Sequence, residues 1–310
     1  MTKKNWVLLI VLILFSTILA TKYAGDFEEL GTSARAISMG GAVTAYARDP
    51  SAIYYNPSLS ARLIRRSALL MHSEDFSGLV KHNYLGIIFP DGCQAFGIAI
   101  LHNGIPGIKL TKLPDTTQEP GENNRPYVDK IVNANQLVGY FNYSRNLSPL
   151  FTVGGNAKLI YQELGGAGSC LGMGIDLGIA LTPISDIDLG LRVRNISTAP
   201  LFWDTGTKEY ITPRVAFGMC KLFHFGRNRL RLAIEVESAL EEKELFSNFG
   251  LEYEFREALF GRVGVYRHNF SFGLGFRFKQ FHLDYGYASG TTPDSRELGT
   301  PQQISGGVEF

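Results

Sequence analysis

The side chains that could perform acid–base or nucleophilic chemistry are few and scattered along this sequence. None of its six histidines lies in an H-E-x-x-H or similar metal-ligand pattern; they are His72, His82, His102, His224, His268 and His282. Ser271 and Asp284, with His268 or His282, have the residue types of a hydrolase triad, but nothing in their spacing selects them. We therefore predict that the protein is not an enzyme and that it needs no metal or cofactor.

Other small binding motifs are equally weak. The run Gly165–Gly168 resembles a phosphate-binding loop, but alternating segments flank it on both sides, so it predicts a hairpin turn. Basic residues do not cluster with aromatic ones and the formal net charge is +1, so nucleic acid is not an expected partner. Three cysteines without a C-x-x-C pair, Cys93, Cys170 and Cys220, are interpreted as small strand residues.

The composition indicates that strands carry these residues. Glycine accounts for 34 of 310 residues and aromatic residues for 12%. Charged residues reach only 19%, against roughly 25% in soluble domains. This combination disfavours both a helical enzyme and a disordered chain.

Residues 1–20 have the features of a cleaved signal peptide. Lys3 and Lys4 precede the apolar run Trp6–Phe15, and small residues lead to Ala20. The run is too short for a membrane-spanning helix, which needs about 20 residues. The sequence therefore predicts an exported protein without a transmembrane helix in its mature part.

Period-two alternation dominates the chain after residue 64. In Phe270–Phe278, apolar side chains alternate with Ser, Gly and Arg. Fourteen candidate strands start near residues 65, 80, 93, 132, 151, 168, 187, 209, 228, 246, 259, 270, 280 and 302. An even number of strands of about 9–11 residues predicts an all-β protein, with residues 63–310 forming a transmembrane antiparallel β-barrel in the outer membrane of a Gram-negative-type envelope.

Charged residues fall on the non-apolar faces of these strands and are predicted to line the barrel lumen. We interpret them as a solvated or mutually paired wall rather than as a substrate path. The residues are Lys158, Asp176, Asp188, Arg192, Arg194, Arg231, Glu235, Glu237, Glu252, Glu254, Arg262, Arg277, Asp284 and Glu309.

The connections alternate between short and long, as expected for such a barrel. Arg256–Ala258 and Lys279 are among the predicted short turns. Longer loops are predicted at His102–Ile131, Ser197–Lys208, Ala239–Leu245 and Ser289–Pro301, and a tight turn at Arg267–Asn269 interrupts the pattern.

Residues 21–62 lack alternation and are rich in Gly, Ala and Ser. Gly40–Gly41 should end any helix that begins at Ser33. A compact segment directly before the first strand could fill the lumen, so we predict a plug, or hatch, at 21–62.

Several motif residues in this segment resemble the N-terminal signature of the PorV/PorQ family, whose outer-membrane barrels are similar to the FadL transporters. They are Gly31, Ala34, Arg35, Ala36, Met39, Gly40, Gly41, Ala42, Asp49, Asn56 and Pro57. The C-terminal Val308 and Phe310 resemble the signal read by the barrel-assembly machinery. The resemblance implies a barrel of fourteen strands with an N-terminal hatch, embedded in outer-membrane lipid.

Two functions are compatible with the resemblance. The first is the binding or shuttling of exported proteins with components of a type IX secretion system, for which the proline-containing loop His102–Ile131 would supply a contact surface. The alternative is a FadL-like channel for hydrophobic small molecules, lined by apolar residues of the hatch: Ile37, Met39, Tyr46, Tyr54 and Tyr55. Because the inward faces of the strands are mostly glycine and charge, which disfavours an apolar conduit, we predict protein binding ahead of transport.

Overall fold

A computed structural model describes residues 24–196, 198–239, 244–290 and 300–310. The predicted signal peptide, residues 1–20, lies outside these ranges. Short helical elements occur near the N-terminus: the 3-10 turns Asp26–Glu28 and Pro57–Arg62, and helices α1 (Ala34–Ser38) and α2 (Ala52–Tyr55). No helix in the described ranges is long and apolar enough to cross a membrane.

Strands make up most of the remaining chain. They are β1 (Ser67–Asp75), β2 (Val80–Asp91), β3 (Gln94–Lys112), β4 (Tyr127–Ser148), β5 (Phe151–Leu164), β6 (Ser169–Ile184), β7 (Ile187–Arg194), β8 (Ala199–Trp203), β9 (Lys208–Ile211), β10 (Arg214–Phe225), β11 (Asn228–Ala239), β12 (Glu244–Phe255), β13 (Leu259–Tyr266), β14 (Asn269–Phe278), β15 (Phe281–Ala288) and β16 (Gln302–Glu309).

Fourteen of these strands close into one antiparallel barrel, which confirms the predicted fold class. β16 pairs with β1, and β5 pairs with β6, so the sheet has no free edge around its circumference. The two other strands, β8 and β9, form a short hairpin that pairs with the end of β6. This hairpin was not predicted, and the strand expected near residue 209 begins at Arg214.

The connections differ between the two ends of the barrel. At the end that carries the C-terminus, turns of two or three residues join the strands, for example at 92–93, 149–150 and 256–258. We call this the turn end and the opposite one the loop end. Arg267 and His268 form a tight turn at the loop end, both with positive φ, as predicted. Most of the predicted loops 239–245 and 289–301 lie outside the described residues.

The predicted loop His102–Ile131 is largely wrong, because two strands extend through most of it. β3 continues to Lys112 and β4 begins at Tyr127, with an irregularity in their pairing between Ile105 and Ile108. The ribbon beyond Ile105, which we call the arm, is exposed on both faces. Alternation reveals only strands with one buried face, so it could not reveal the arm.

The two faces of the barrel wall reverse the polarity of a soluble protein. Outward-facing apolar residues are exposed, for example Leu274 at 67% and Phe270 at 53%. Inward-facing charged residues are buried, for example Arg231 at 1% and Lys158 at 2%. The wall therefore has an apolar outside and a polar interior, as the alternation predicts.

The three cysteines are free in the structure. Cys170 lies in β6 and Cys220 in β10, but Cys93 lies in the turn between β2 and β3. The interpretation of Cys93 as a strand residue was wrong, because β2 continues to Asp91 and the two-residue turn therefore takes up Gly92 and Cys93.

Candidate functional site

Residues 24–62, here called the N-terminal segment, lie inside the barrel and are mostly buried. Helix α1 ends at Ser38, and Gly41 donates a backbone hydrogen bond to the Ala36 carbonyl at 2.9 Å with positive φ. Asn56 begins the 3-10 turn by accepting a hydrogen bond from the Ser58 N–H at 3.2 Å. Glycine, Ser and Asn thus give this segment its compact, turn-rich path.

Inward-facing glycines of the wall allow the segment to approach closely. A Cβ atom at Gly190 would lie 2.2 Å from the Thr44 carbonyl oxygen, and one at Gly264 would lie 2.3 Å from the Gly40 nitrogen. At Gly286 a Cβ would lie 2.3 Å from the Ala34 carbonyl oxygen. These contacts involve the backbone of the segment, so no side-chain movement could relieve them.

Three groups of buried charges join the segment to the wall. The first, the Glu252 cluster, comprises Arg35, Arg231, Glu252, Glu254, Arg262 and Asp284. Arg35 of helix α1 donates to Glu252 through Nε at 2.8 Å and through a terminal nitrogen at 3.2 Å. Arg262 donates to the same carboxylate at 2.7 Å, so a single buried acid holds cations from both the segment and the wall.

The second group, the Lys158 cluster, surrounds Glu28. Lys158 Nζ lies 2.8 Å from a Glu28 carboxylate oxygen and 3.1 Å from one of Asp176. The Asn195 side chain donates to Glu28 at 3.2 Å, and its backbone N–H donates to Asp176 at 3.0 Å. All four side chains are buried, so replacing Lys158 by a neutral residue would leave Glu28 and Asp176 without the cation they share.

The third group, the Glu237 cluster, comprises Glu29, Arg192, Arg194, Arg214, Glu235, Glu237 and Arg267. Glu29 pairs with Arg214 and, at 3.2 Å, with Arg267. Burial raises the pKa of the Glu29 carboxyl above its ordinary value, while Arg214 and Arg267 act in the opposite direction. Each of the three clusters therefore includes one charged residue of the N-terminal segment.

Cavities lie on both sides of the segment. The one nearer the loop end has a volume of about 50 Å³, and Ile37, Tyr54, Tyr55 and Tyr266 contribute to its lining. Such a volume holds a few water molecules and no larger ligand. Toward the turn end, a vestibule of about 530 Å³ opens beside Tyr46. Of the residues proposed to line a hydrophobic path, Met39 lines neither of these two cavities.

The structure places the predicted lumen-facing charges as follows. Lys158, Asp176, Arg192, Arg194, Arg231, Glu235, Glu237, Glu252, Glu254, Arg262 and Asp284 are buried, and Asp188, Arg277 and Glu309 are half-buried. Of the motif residues, Ala34, Arg35, Ala36, Met39, Gly40, Ala42, Asp49, Asn56 and Pro57 are buried, and Gly31 and Gly41 are half-buried. Val308 lies in β16, and Phe310 is 61% exposed at the turn end.

Sequence reasoning missed the acidic pair Glu28 and Glu29. Charged residues are almost never fully buried unless they are paired, so two acids in a segment predicted to fill the lumen should have signalled cationic partners there. The triad-like residues do not come together. Ser271 and His282 lie at opposite ends of the β14–β15 pair, roughly 20 Å apart along the strands.

Comparison with known proteins was made at the levels of sequence and structure. No protein-family model and no curated protein sequence matches the chain. Among solved structures, the Ralstonia pickettii toluene transporter TbuX superposes with a TM-score of 0.60 at 13% identity, over 92% of this chain and 100% of its own. A Pseudomonas aeruginosa FadL homologue gives 0.59 at 11% identity, over 90% and 98%. The CymD monoaromatic hydrocarbon channel gives 0.60 at 10% identity, over 91% and 98%.

The chain has the fold of a FadL-like barrel. At these identities the likeness establishes the fold alone. It supports the FadL-like part of the predicted resemblance and does not distinguish the PorV/PorQ family within it.

In this FadL-like barrel, Asn56 is the motif residue with the clearest structural role. Its side-chain amide donates to the carbonyl oxygens of Thr44 at 2.7 Å and Ile179 at 3.1 Å, joining two parts of the segment to the wall. We expect Asn56→Ala to lower the free energy of unfolding by about 1–3 kcal/mol, because buried polar groups lose their partners. Urea unfolding in detergent measures this, and the exposed Asn123→Ala serves as control. Equal stability of the two variants would contradict the assignment.

Proposed function

We propose that this chain is an outer-membrane barrel that transports hydrophobic small molecules. The observation that carries the proposal is a FadL-like barrel whose lumen holds an N-terminal segment with cavities on both sides. Two structures with this fold are a toluene transporter and a monoaromatic hydrocarbon channel, and each superposes on more than nine-tenths of the chain. Transport, and not catalysis, is the activity that this arrangement supports.

A lipid environment is supported by the outward face. On β1 to β4 the outward-facing side chains are apolar until, near the loop end, a line of hydrogen-bonded polar side chains replaces them. His72 contacts Asn83 at 2.8 Å, Asn83 contacts His102 at 3.5 Å, and His102 contacts Asn135 at 3.4 Å. Such a line fits the boundary between acyl chains and head groups. Insertion there by the barrel-assembly machinery, with Val308 and Phe310 as the recognised C-terminus, is part of the proposal.

We further propose that the N-terminal segment acts as the plug and that the structure is its closed state. The cavity of about 50 Å³ on the loop side is too small for an aromatic hydrocarbon. Passage of a solute would therefore require the segment to shift and some of its contacts with the three charged clusters to break.

A second candidate, protein binding in a secretion-associated role, is favoured by the arm. Leu110, Tyr127, Val128 and Ile131 are exposed on it, and a ribbon of two strands without a covered face gains little stability by itself. An exposed apolar arm at the rim offers a contact surface for an exported protein or a secretion-system component.

Mass spectrometry of the protein, purified gently from native outer membranes, tests both proposals in one sample. We expect an apolar small molecule to co-purify with the full chain and also with a variant in which Leu110, Tyr127, Val128 and Ile131 are replaced by serine. A stoichiometric protein partner that is lost in this variant, with no small molecule retained, would replace the transport proposal by the second candidate.

A further inference from the structure

A small internal cavity near the turn end is lined mainly by cations. Its volume is about 30 Å³. Five arginines and three acids line it, together with Phe260 and His282; the charged residues are Arg35, Arg48, Arg231, Arg262, Arg277, Asp49, Glu252 and Asp284. Its lining carries a formal excess of two positive charges at neutral pH, which falls to one when the adjacent Glu254, the partner of Arg231 at 2.8 Å, is counted.

The guanidinium groups are crowded around one aromatic ring. Those of Arg35, Arg48 and Arg231 lie 5.2, 5.0 and 4.7 Å from the centre of the Tyr46 ring. Burial, Arg231 and Arg35 together lower the pKa of Arg48 to about 10. Three like charges this close require a compensating charge in a medium that screens poorly.

The acids of the protein leave some of these donors without partners. Arg231 is 1% exposed and pairs with Glu252 and Glu254 through one terminal nitrogen, but its Nε and its other terminal nitrogen have no hydrogen-bond acceptor among the described residues. In the same part of the chain, the one carboxylate within 4.0 Å of the Arg48 side chain is that of Glu254, at 3.9 Å. Within the described ranges, no carboxylate lies within 4.0 Å of Arg277. The unpaired donors of Arg231 are buried and are therefore costly unless another group satisfies them, whereas the Arg48 side chain is 36% exposed and Arg277 is half-buried.

Two arginines of the cavity are also accessible from the turn end. Arg48 and Arg277 line it and also line the vestibule of about 530 Å³, which opens at the turn end. The other charges of the vestibule are two ion pairs, Arg62 with Asp188 at 2.8 Å and Arg65 with Glu309 at 4.0 Å. An ion from solution can therefore reach Arg48 and Arg277 without crossing the segment.

We propose that this cavity binds a small monovalent anion of about the size of chloride, held by Arg48, Arg231 and Arg277. A volume of about 30 Å³ accommodates such an ion and excludes larger organic anions. Water could satisfy the free donors, but it would leave the excess positive charge in place. The bound anion would stabilise the N-terminal segment in its position inside the barrel, because Arg35 and Arg48 belong to that segment. The site does not depend on what the barrel transports.

Bromide and chloride serve as probes. Crystals of the full chain grown in bromide should show an anomalous peak among Arg48, Arg231 and Arg277. In detergent solution, the melting temperature should rise saturably with chloride and not with gluconate at matched ionic strength.

Arg277→Gln should weaken chloride binding about tenfold or more, because a charge-assisted contact is lost. Lys279→Gln removes the same charge from the adjacent exposed turn and should change nothing.

Two results would overturn the site: wild-type crystals without a bromide peak, or a chloride effect of equal size in wild type and Arg277→Gln. Arg277 is half-buried and leaves no described acid unpaired when it is replaced, so the variant should fold. Arg48→Gln provides a second variant with the same expected loss, since Glu254 keeps Arg231 as its partner.

Discussion

Deletion of residues 24–62 should convert a closed barrel into an open pore. The N-terminal segment fills the lumen between the loop-side cavity and the vestibule, and the inward faces of the wall are rich in glycine. Without the segment, water should fill a lumen of fourteen strands. Permeation of a small sugar into liposomes should then rise by about an order of magnitude or more.

The barrel itself should survive this deletion. Hydrogen bonds between neighbouring strands close the wall without any contribution from the segment. The charged side chains of the wall that pair with Glu28, Glu29 and Arg35 would be hydrated after the deletion. The usual cost of an unpaired buried charge is therefore largely avoided.

Liposome swelling measures the result, with a chain that lacks the arm tip 113–126 as control. That deletion removes residues at the loop end that take no part in the three clusters, so it should leave permeation unchanged. A folded 24–62 deletion variant, verified by its circular dichroism, that is no more permeable than the full chain would show that the segment does not close the lumen.

Much of the barrel could be predicted from the sequence because its wall has one apolar and one polar face. Alternation in Phe270–Phe278 and similar segments reveals both the strand and its orientation, and short turns such as Arg256–Ala258 give the connections. Alternation is absent from strands whose two faces are alike. The arm is exposed on both faces, and the β8–β9 hairpin is too short for alternation to be recognised.

The interior was predictable only in part. Alternation places Glu252 and Lys158 on the inner face, but it does not show which residues they contact, because Arg35 and Glu28 lie more than a hundred positions away in the chain. Glycine posed a similar problem. Gly190 lies between Asp188 and Arg192 on the inner face, and nothing in the local sequence shows that the Thr44 backbone packs against it.

Protein binding was preferred over transport for the same reason, namely that alternation does not show what the inner faces of the strands contact. Inner faces of glycine and charge suggested that no apolar solute could pass, since an apolar conduit needs apolar walls. In the structure most of those charges are paired, and inward-facing glycines such as Gly190 and Gly264 contact the segment, so both features serve to hold the N-terminal segment. They give no information about the solute path that would form when the segment moves.

Valine in place of two inward-facing glycines of the wall should displace the N-terminal segment without any change to the sequence of the segment. A valine at Gly190 or at Gly264 would force a Cβ against the segment backbone at 2.2 or 2.3 Å. Overpacking of this kind costs about 1–3 kcal/mol per site, so the double variant should favour the displaced segment by roughly 30-fold or more. The substitutions themselves are compatible with strands, because neither glycine has a positive φ.

Trypsin cleavage after Arg35 reports the displacement, because this side chain is buried in the closed barrel and cleavage follows the population of the open form. Gly261→Val with Gly306→Val is the matched control, since a Cβ at either position meets nothing within 4 Å. Equal protection of Arg35 in both double variants would mean that the segment tolerates the added side chains. Fast cleavage in the inward variant alone, together with increased permeation, would show that the close packing of the segment against glycine keeps the lumen closed.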